Sequence, residues 1–133
     1  VIHQLSVTNS HIYLDEDNLL EVLKNYPQKQ IQPDLYVYTV TEVMFCSISG
    51  VLMVYVDKGD IRELVFNCYD AISIFNIPNT PSVFSQYKDT LIEELTQKYR
   101  EKSEENQFFN RNFDFTVTAS DNNISVLIKR RTI

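Results

Sequence analysis

The chain has 133 residues and a mass of 15.6 kDa, a length at which a single hydrophobic core forms and folding buries about two-thirds of the unfolded surface. Hydrophobic residues make up 44% and charged residues 23%, which excludes the composition of a disordered chain. Twelve Lys and Arg against eighteen Asp and Glu leave a net charge of -6, so phosphate backbones and anionic membrane surfaces are repelled on average, and neither nucleic acid nor membrane is an expected partner.

Residues 2–13 lean towards strand without clear periodicity. Asp15, Glu16 and Asp17 then precede Leu19, Leu20, Val22, Leu23 and Tyr26, which recur at three- and four-residue spacing. Acidic groups suit the positive end of a helix dipole and Pro27 stops the element, so an amphipathic helix of about three turns is predicted. Residues 27–33 read as a polar connection. From 35 to 46 the residues are mostly β-branched or aromatic, with Leu35, Val37, Val43 and Phe45 on one face and Tyr36, Tyr38, Val40, Met44 and Cys46 on the other. After a turn at 47–50, residues 51–56 are apolar at every position, the pattern of an interior strand covered on both sides. Asp57, Lys58, Gly59 and Asp60 give the turn chemistry of a hairpin.

Residues 61–75 read two ways. Ile61, Leu64, Val65, Cys68, Ala71, Ile72 and Phe75 fit a helical stripe, whereas Val65, Phe66, Tyr69, Ile72 and Ile74 favour a strand. The hairpin turn just before them delivers an antiparallel neighbour, and strand is the expectation. Thr80 followed by Pro81 has the form of a helix cap and first helical position, and Phe84, Tyr87, Leu91, Leu95 and Tyr99 then share one face. Lys98, Arg100 and Lys102 suit that helix's negative pole. Phe113, Phe115, Val117 and Ala119 alternate with Asp114, Thr116 and Thr118, and a turn at 121–123 leads into a last strand at 124–129. The expected fold is one α+β domain: a mainly antiparallel sheet of five to six strands with two helices on one face.

Chemistry-bearing groups are sparse. Cys46 and Cys68 sit in apolar stretches without redox or zinc spacing and read as buried thiols, which favours a reducing compartment, cytoplasm or nucleus. The longest apolar run, 51–56, falls far short of the ~20 residues of a spanning helix, and no signal-peptide pattern follows Val1. His3 and His11 have no Cys or acidic partner at ligand spacing and read as surface or packing residues. Gly50 and Gly59 fall at turns and cannot build a phosphate loop. Glu93, Glu94, Glu101, Glu104 and Glu105 interleave with Lys98, Arg100 and Lys102 as a solvated face, and Lys129, Arg130 and Arg131 read as a solvated strand end. No catalytic group, metal, cofactor or small-molecule substrate is therefore expected, and a non-enzymatic role follows. An enzyme would have to gather polar groups from distant segments into one pocket.

Protein binding is the remaining class. Eight Tyr and eight Phe form a substantial aromatic load, and Tyr36, Tyr38 and Tyr55 are the candidate interface anchors. A flat sheet of five or six strands at ~4.8 Å spacing is nearly 30 Å wide, whereas packed helices sit ~10 Å apart. Two helices hide only one face, so the second face is expected to be covered by another polypeptide, a sheet of similar build. The competing expectation is that 61–75 forms a third helix or that loops cross the sheet.

The order and spacing of the elements from residue 51 to the end resemble the proteasome assembly chaperone 4 family. The resemblance is carried by the apolar strand 51–56, the turn 57–60, the strand ending near Cys68 to Asp70, the connection 74–81, the helix bearing Leu91 and Leu95, and the closing pair of strands around 121–123. It implies a non-enzymatic cytosolic chaperone that pairs, through packed sheets, with a related small subunit, assembly chaperone 3. The pair would hold a proteasome α subunit while the α-ring assembles. The family has no invariant chemical motif to match, and the acidic segment 15–26 is not one of its features. Size and charge also fit a small acidic bacterial immunity protein or a secretion chaperone, each binding one partner. A longin-like trafficking domain is the structural look-alike if 61–75 is helical.

Overall fold

The computed structural model describes residues 2–68, 81–120 and 123–131. The fold is broadly α+β and mostly sheet. Its strands are β1 (His3–Val7), β2 (Ile12–Leu14), β3 (Asp17–Asn18), β4 (Gln28–Gln32), β5 (Leu35–Phe45), β6 (Ile48–Asp57), β7 (Asp60–Asn67), β8 (Arg100–Glu101), β9 (Gln107–Phe109), β10 (Phe113–Ser120) and β11 (Asn123–Arg130). The helices given in full among the described residues are α1 (Leu19–Leu23) and α2 (Pro81–Lys98). One open sheet runs in the order β3, β2, β1, β5, β6, β7, β11, β10, β9, β8, with β4 paired to the first half of β5. All pairings are antiparallel except β1 with the second half of β5.

The strand count exceeds the expected five to six. The additional strands β2, β3, β4, β8 and β9 have two to five residues each and carry no sustained alternation that period-two reading detects. Residues 27–33, expected as a connection, contain β4, whose five side chains are all exposed. The expected three-turn helix shrinks to the five residues of α1. Asn18 is its N-cap, accepting a hydrogen bond from Leu20 N–H at 3.1 Å, while Asp15 is engaged elsewhere. The long helix begins at Pro81 as expected, and Leu91 and Leu95 are fully buried. The strand expectation for 61–75 holds through Asn67; Cys68 is already helical, and from Tyr69 onward the segment lies outside the described residues.

A β-bulge reorganises β5. Val40 pairs with Leu52 and Val43 with Gly50, so Thr41 and Glu42 together oppose one residue of β6, and Glu42 adopts φ 58°. The extra residue shifts parity. Tyr36, Tyr38, Val40, Val43 and Phe45 therefore share one face, and Leu35, Val37, Thr39 and Met44 the other, which corrects the simple alternation expected for this strand. Gly50 is not a turn residue. The turn is Cys46–Ser47, at φ 52° and 65°, and Gly50 lies within β6 where a Cβ would stand 2.7 Å from Phe66 Cζ and 2.9 Å from the Asn67 carbonyl oxygen. Lys58 and Gly59, at φ 53° and 84°, make the expected hairpin between β6 and β7.

One hydrophobic cluster fills the core face. Val40, Val43 and Phe45 join Leu52 and Val54, Leu64 and Phe66, Ile124, Val126 and Ile128, and Phe113, Phe115 and Val117 across five adjacent strands. Leu19 and Leu23 of α1 and Leu91 and Leu95 of α2 belong to the same cluster. Each such fully buried side chain contributes about 1.5–3 kcal/mol relative to exposure.

The ends of the sheet are tied together. In a flat sheet β1 and β9 would lie six strand spacings, about 29 Å, apart. Instead the turn after β1 and the turn after β9 are hydrogen-bonded: Asn110 Nδ2 donates to the Thr8 carbonyl at 3.0 Å, Arg111 N–H to Asn9 Oδ1 at 2.9 Å, and Asn112 Nδ2 to the Asn9 carbonyl at 2.5 Å. The Tyr99 hydroxyl adds a bond to the Val7 carbonyl at 3.0 Å and its ring stacks on Phe115 at 4.2 Å. The sheet is therefore strongly curled, with the hydrophobic cluster inside the curl.

Candidate functional site: the outer face of the sheet

The alternate residues of the central strands form the outer face. Met53 of β6 pairs with Val65 of β7, and Val65 with Leu127 of β11, giving an apolar row in register across three strands. Tyr55 flanks it, paired with Val37 of β5. Val37 and Val51 are buried, whereas Met53, Tyr55, Val65 and Leu127 are half-buried, and none of the six belongs to the core cluster or packs against it. Beside the apolar row runs a charged one. Glu63 pairs with Lys129 and Lys129 with Asp114, so charges alternate in sign across β7, β11 and β10. Asp114 Oδ1 is sealed from solvent without a well-aligned hydrogen bond, and two cations compensate it, Lys102 Nζ at 2.9 Å and Arg131 Nε at 3.4 Å.

The three tyrosines singled out in the sequence are divided between the faces. Tyr55 stands on the outer face. Tyr36 and Tyr38 pair with Val56 and Val54 on the core face, and Tyr38 packs against the cluster while its hydroxyl donates to Gln28 Oε1 at 2.7 Å. Met53, Val65 and Leu127, the row that Tyr55 flanks, are not singled out by the sequence reading. Their signal was the unbroken apolarity of 51–56 and the strand reading of 61–75, which require apolar groups on both faces.

Elsewhere the fold assembles a hydrogen-bonded chain that local spacing does not reveal. His3 Nδ1 bonds to Asp15 Oδ2, His3 Nε2 to the Tyr26 hydroxyl at 2.9 Å, and Asp15 Oδ1 accepts from Gln4 N–H at 2.8 Å. No acidic residue stands at ligand spacing from His3 in the sequence, and Asp15, twelve positions on, meets it only because β1 and β2 pair. The chain has the connectivity of an acid–base relay, but its terminal group is poorly suited to attack. Burial, and then the Asp15 carboxylate, push the Tyr26 hydroxyl above its usual range, while the His3 hydrogen bond holds Asp15 below the ordinary aspartate value. These bonds latch the start of the sheet to the end of α1.

The thiols are equally quiet. Burial pushes Cys46 up to about 11 and Cys68 up to about 12, so both remain protonated at neutral pH. Among the described residues no group of three His, Cys, Asp or Glu side chains is placed to hold a metal ion, and no helix is long and apolar enough to cross a membrane. Comparison with protein families, with curated proteins and with solved structures finds no match for this chain.

Proposed function

We propose that the chain is a non-enzymatic assembly partner that packs its outer sheet face against the sheet of a related small subunit, in the manner of the proteasome assembly chaperone 4 family. In this reading both helices serve the core face and leave the outer face to the partner. The observation that carries it is the in-register row Met53, Val65 and Leu127 with Tyr55 beside it, which contributes nothing to the chain's own hydrophobic cluster. A sheet of similar build is the occupant that fits, because apolar rows of matched strand spacing interdigitate, and the alternating Glu63, Lys129 and Asp114 row fixes the register of whatever lies across it. The pair then holds a proteasome α subunit in the cytoplasm during ring assembly.

The curl changes one premise of this reading. Because the sheet curls around the cluster, one long helix and one short helix fill the inside, and among the described residues no helix is assigned to the outer face. Purification from the native cell tests the proposal, with the expected companions being a second small α+β chain and free proteasome α subunits. Capture of a single toxin, released steeply by salt, would replace this reading with that of an immunity protein.

A further inference from the structure

Where the ends of the curled sheet meet, a cleft of about 710 Å³ opens between the end of α2, the turn after β9 and the end of β11. Four cations from three separate segments line it, Lys98 and Arg100, Arg111, and Arg131, and no carboxylate does. A neighbouring hollow of about 250 Å³ carries Lys102, Lys129 and Arg130, and it shares Asp114 with the cleft through the ion pairs of Lys102 and Arg131. Seven of the twelve Lys and Arg of an otherwise acidic chain thus gather at one corner.

Ordinary structural roles explain part of this set. Lys98 and Arg100 flank the negative pole of α2, and Lys98 pairs with Glu94 at 3.5 Å. Arg131 is pinned, with its guanidinium 4.6 Å above the Phe109 ring, Nε facing Asp114 and Nη1 donating to the Asn110 carbonyl at 3.2 Å. Arg111 is placed by the asparagine clamp, through the bond from its N–H to Asn9 Oδ1. The guanidinium groups of Arg100 and Arg111 have no hydrogen-bond, ion-pair or ring partner among the described residues. Two unpaired planar cations on a braced cleft wall match the fork geometry of carboxylate and phosphate groups.

We propose that this seam cleft binds an acidic segment of a polypeptide, gripped at its carboxylate or phosphate groups by Arg100 and Arg111 with Arg131 and Lys98 adding charge. A polynucleotide is disfavoured because its many phosphates would meet the net charge of -6 beyond this corner. The cleft's own lining contains no residue of the apolar outer-face row, and the proposal does not depend on the reading given to that face.

Fluorescence anisotropy on the full chain tests it, with a labelled hexaglutamate peptide, a serine-phosphorylated peptide of equal charge and a single-stranded oligonucleotide of equal charge. At low salt the chain is expected to bind one or both peptides, and the tighter of the two identifies the anion. Arg100→Glu with Arg111→Glu should weaken peptide binding about tenfold or more, as loss of charge-assisted hydrogen bonds requires. Arg100→Lys with Arg111→Lys keeps the charge and the fold and should give a smaller loss. The charge reversal Lys24→Glu, at an exposed residue that lines neither the cleft nor the hollow, should leave peptide affinity unaltered. No binding of either peptide, equal affinity in the Arg→Glu variant, or tighter binding of the oligonucleotide would overturn the proposal.

Discussion

The two faces of the central strands are made from alternate residues of the same segments, yet they behave as different materials. Leu52, Val54, Leu64, Phe66, Val126 and Ile128 are at most 1% exposed and belong to one cluster with residues of both helices. Their neighbours Met53, Tyr55, Val65 and Leu127 are nearly as apolar but only half-buried, and they share no cluster with them. Apolar composition therefore does not distinguish the face that holds the fold from the outer face. Register against the helices does.

The largest expected contrast comes from truncating one residue on each face. Phe115→Ala removes a fully buried ring that stacks on Tyr99 and should cost about 3–5 kcal/mol in urea unfolding. Leu127→Ala, on the neighbouring strand but the other face, should cost about 1 kcal/mol or less. Equal losses would erase the distinction between the faces.

Gly50→Ala sharpens the same contrast with a single methyl group. The added Cβ meets the Phe66 ring and the Asn67 carbonyl, so a loss of about 1–3 kcal/mol is expected by chemical denaturation, although alanine suits a strand better than glycine does. An unchanged midpoint would mean that Phe66 moves aside freely.

A smaller effect separates the latched start of the sheet from its centre. The folded-state pKa of Asp15 is depressed, chiefly by the bond to His3 and then by the Gln4 N–H. That interaction stabilises the fold above the unfolded-state value, and its contribution is lost as pH falls from about 4 through the folded-state value. Asp15→Asn should therefore flatten the acid limb of a stability–pH curve while changing thermal unfolding at neutral pH only modestly. Superimposable acid limbs would show that the latch is not populated in solution.

The smallest expected effect is none at all. With Cys46 near 11 and Cys68 near 12, neither thiol should react with a thiol reagent at pH 8 until denaturant is added. Stoichiometric labelling of the folded chain would place at least one of them nearer the surface.

Much of this architecture was legible in the sequence because long, periodic segments announce themselves. The hairpin at Asp57–Asp60, the alternation from Phe113 and the helix opening at Pro81 all carry turn or cap chemistry next to a regular pattern. The failures share a cause of another kind. The bulge at Thr41 and Glu42 costs one residue of register, and no residue type marks it, so Tyr36 and Tyr38 move to the core face. The Cys46–Ser47 turn uses positive φ without glycine or asparagine, which hid the true start of β6 and left Gly50 misread. The contacts of Asn9 with Arg111 and Asn112, like those of His3 with Asp15, join positions distant in the chain and depend on the curl or on pairing. The row Met53, Val65 and Leu127 was within reach of the sequence, but the cation-lined seam needed three separate segments to converge.

The most direct test of the outer face is a paired purification from the native cell, one with the unaltered chain and one with Val65→Asp combined with Leu127→Asp. The unaltered chain should retain a second small subunit and proteasome α subunits, and the variant should lose both while unfolding as a single cooperative transition on its own. Identical companions on both chains, or an unaltered chain that elutes alone, would contradict the assignment of this face to a partner.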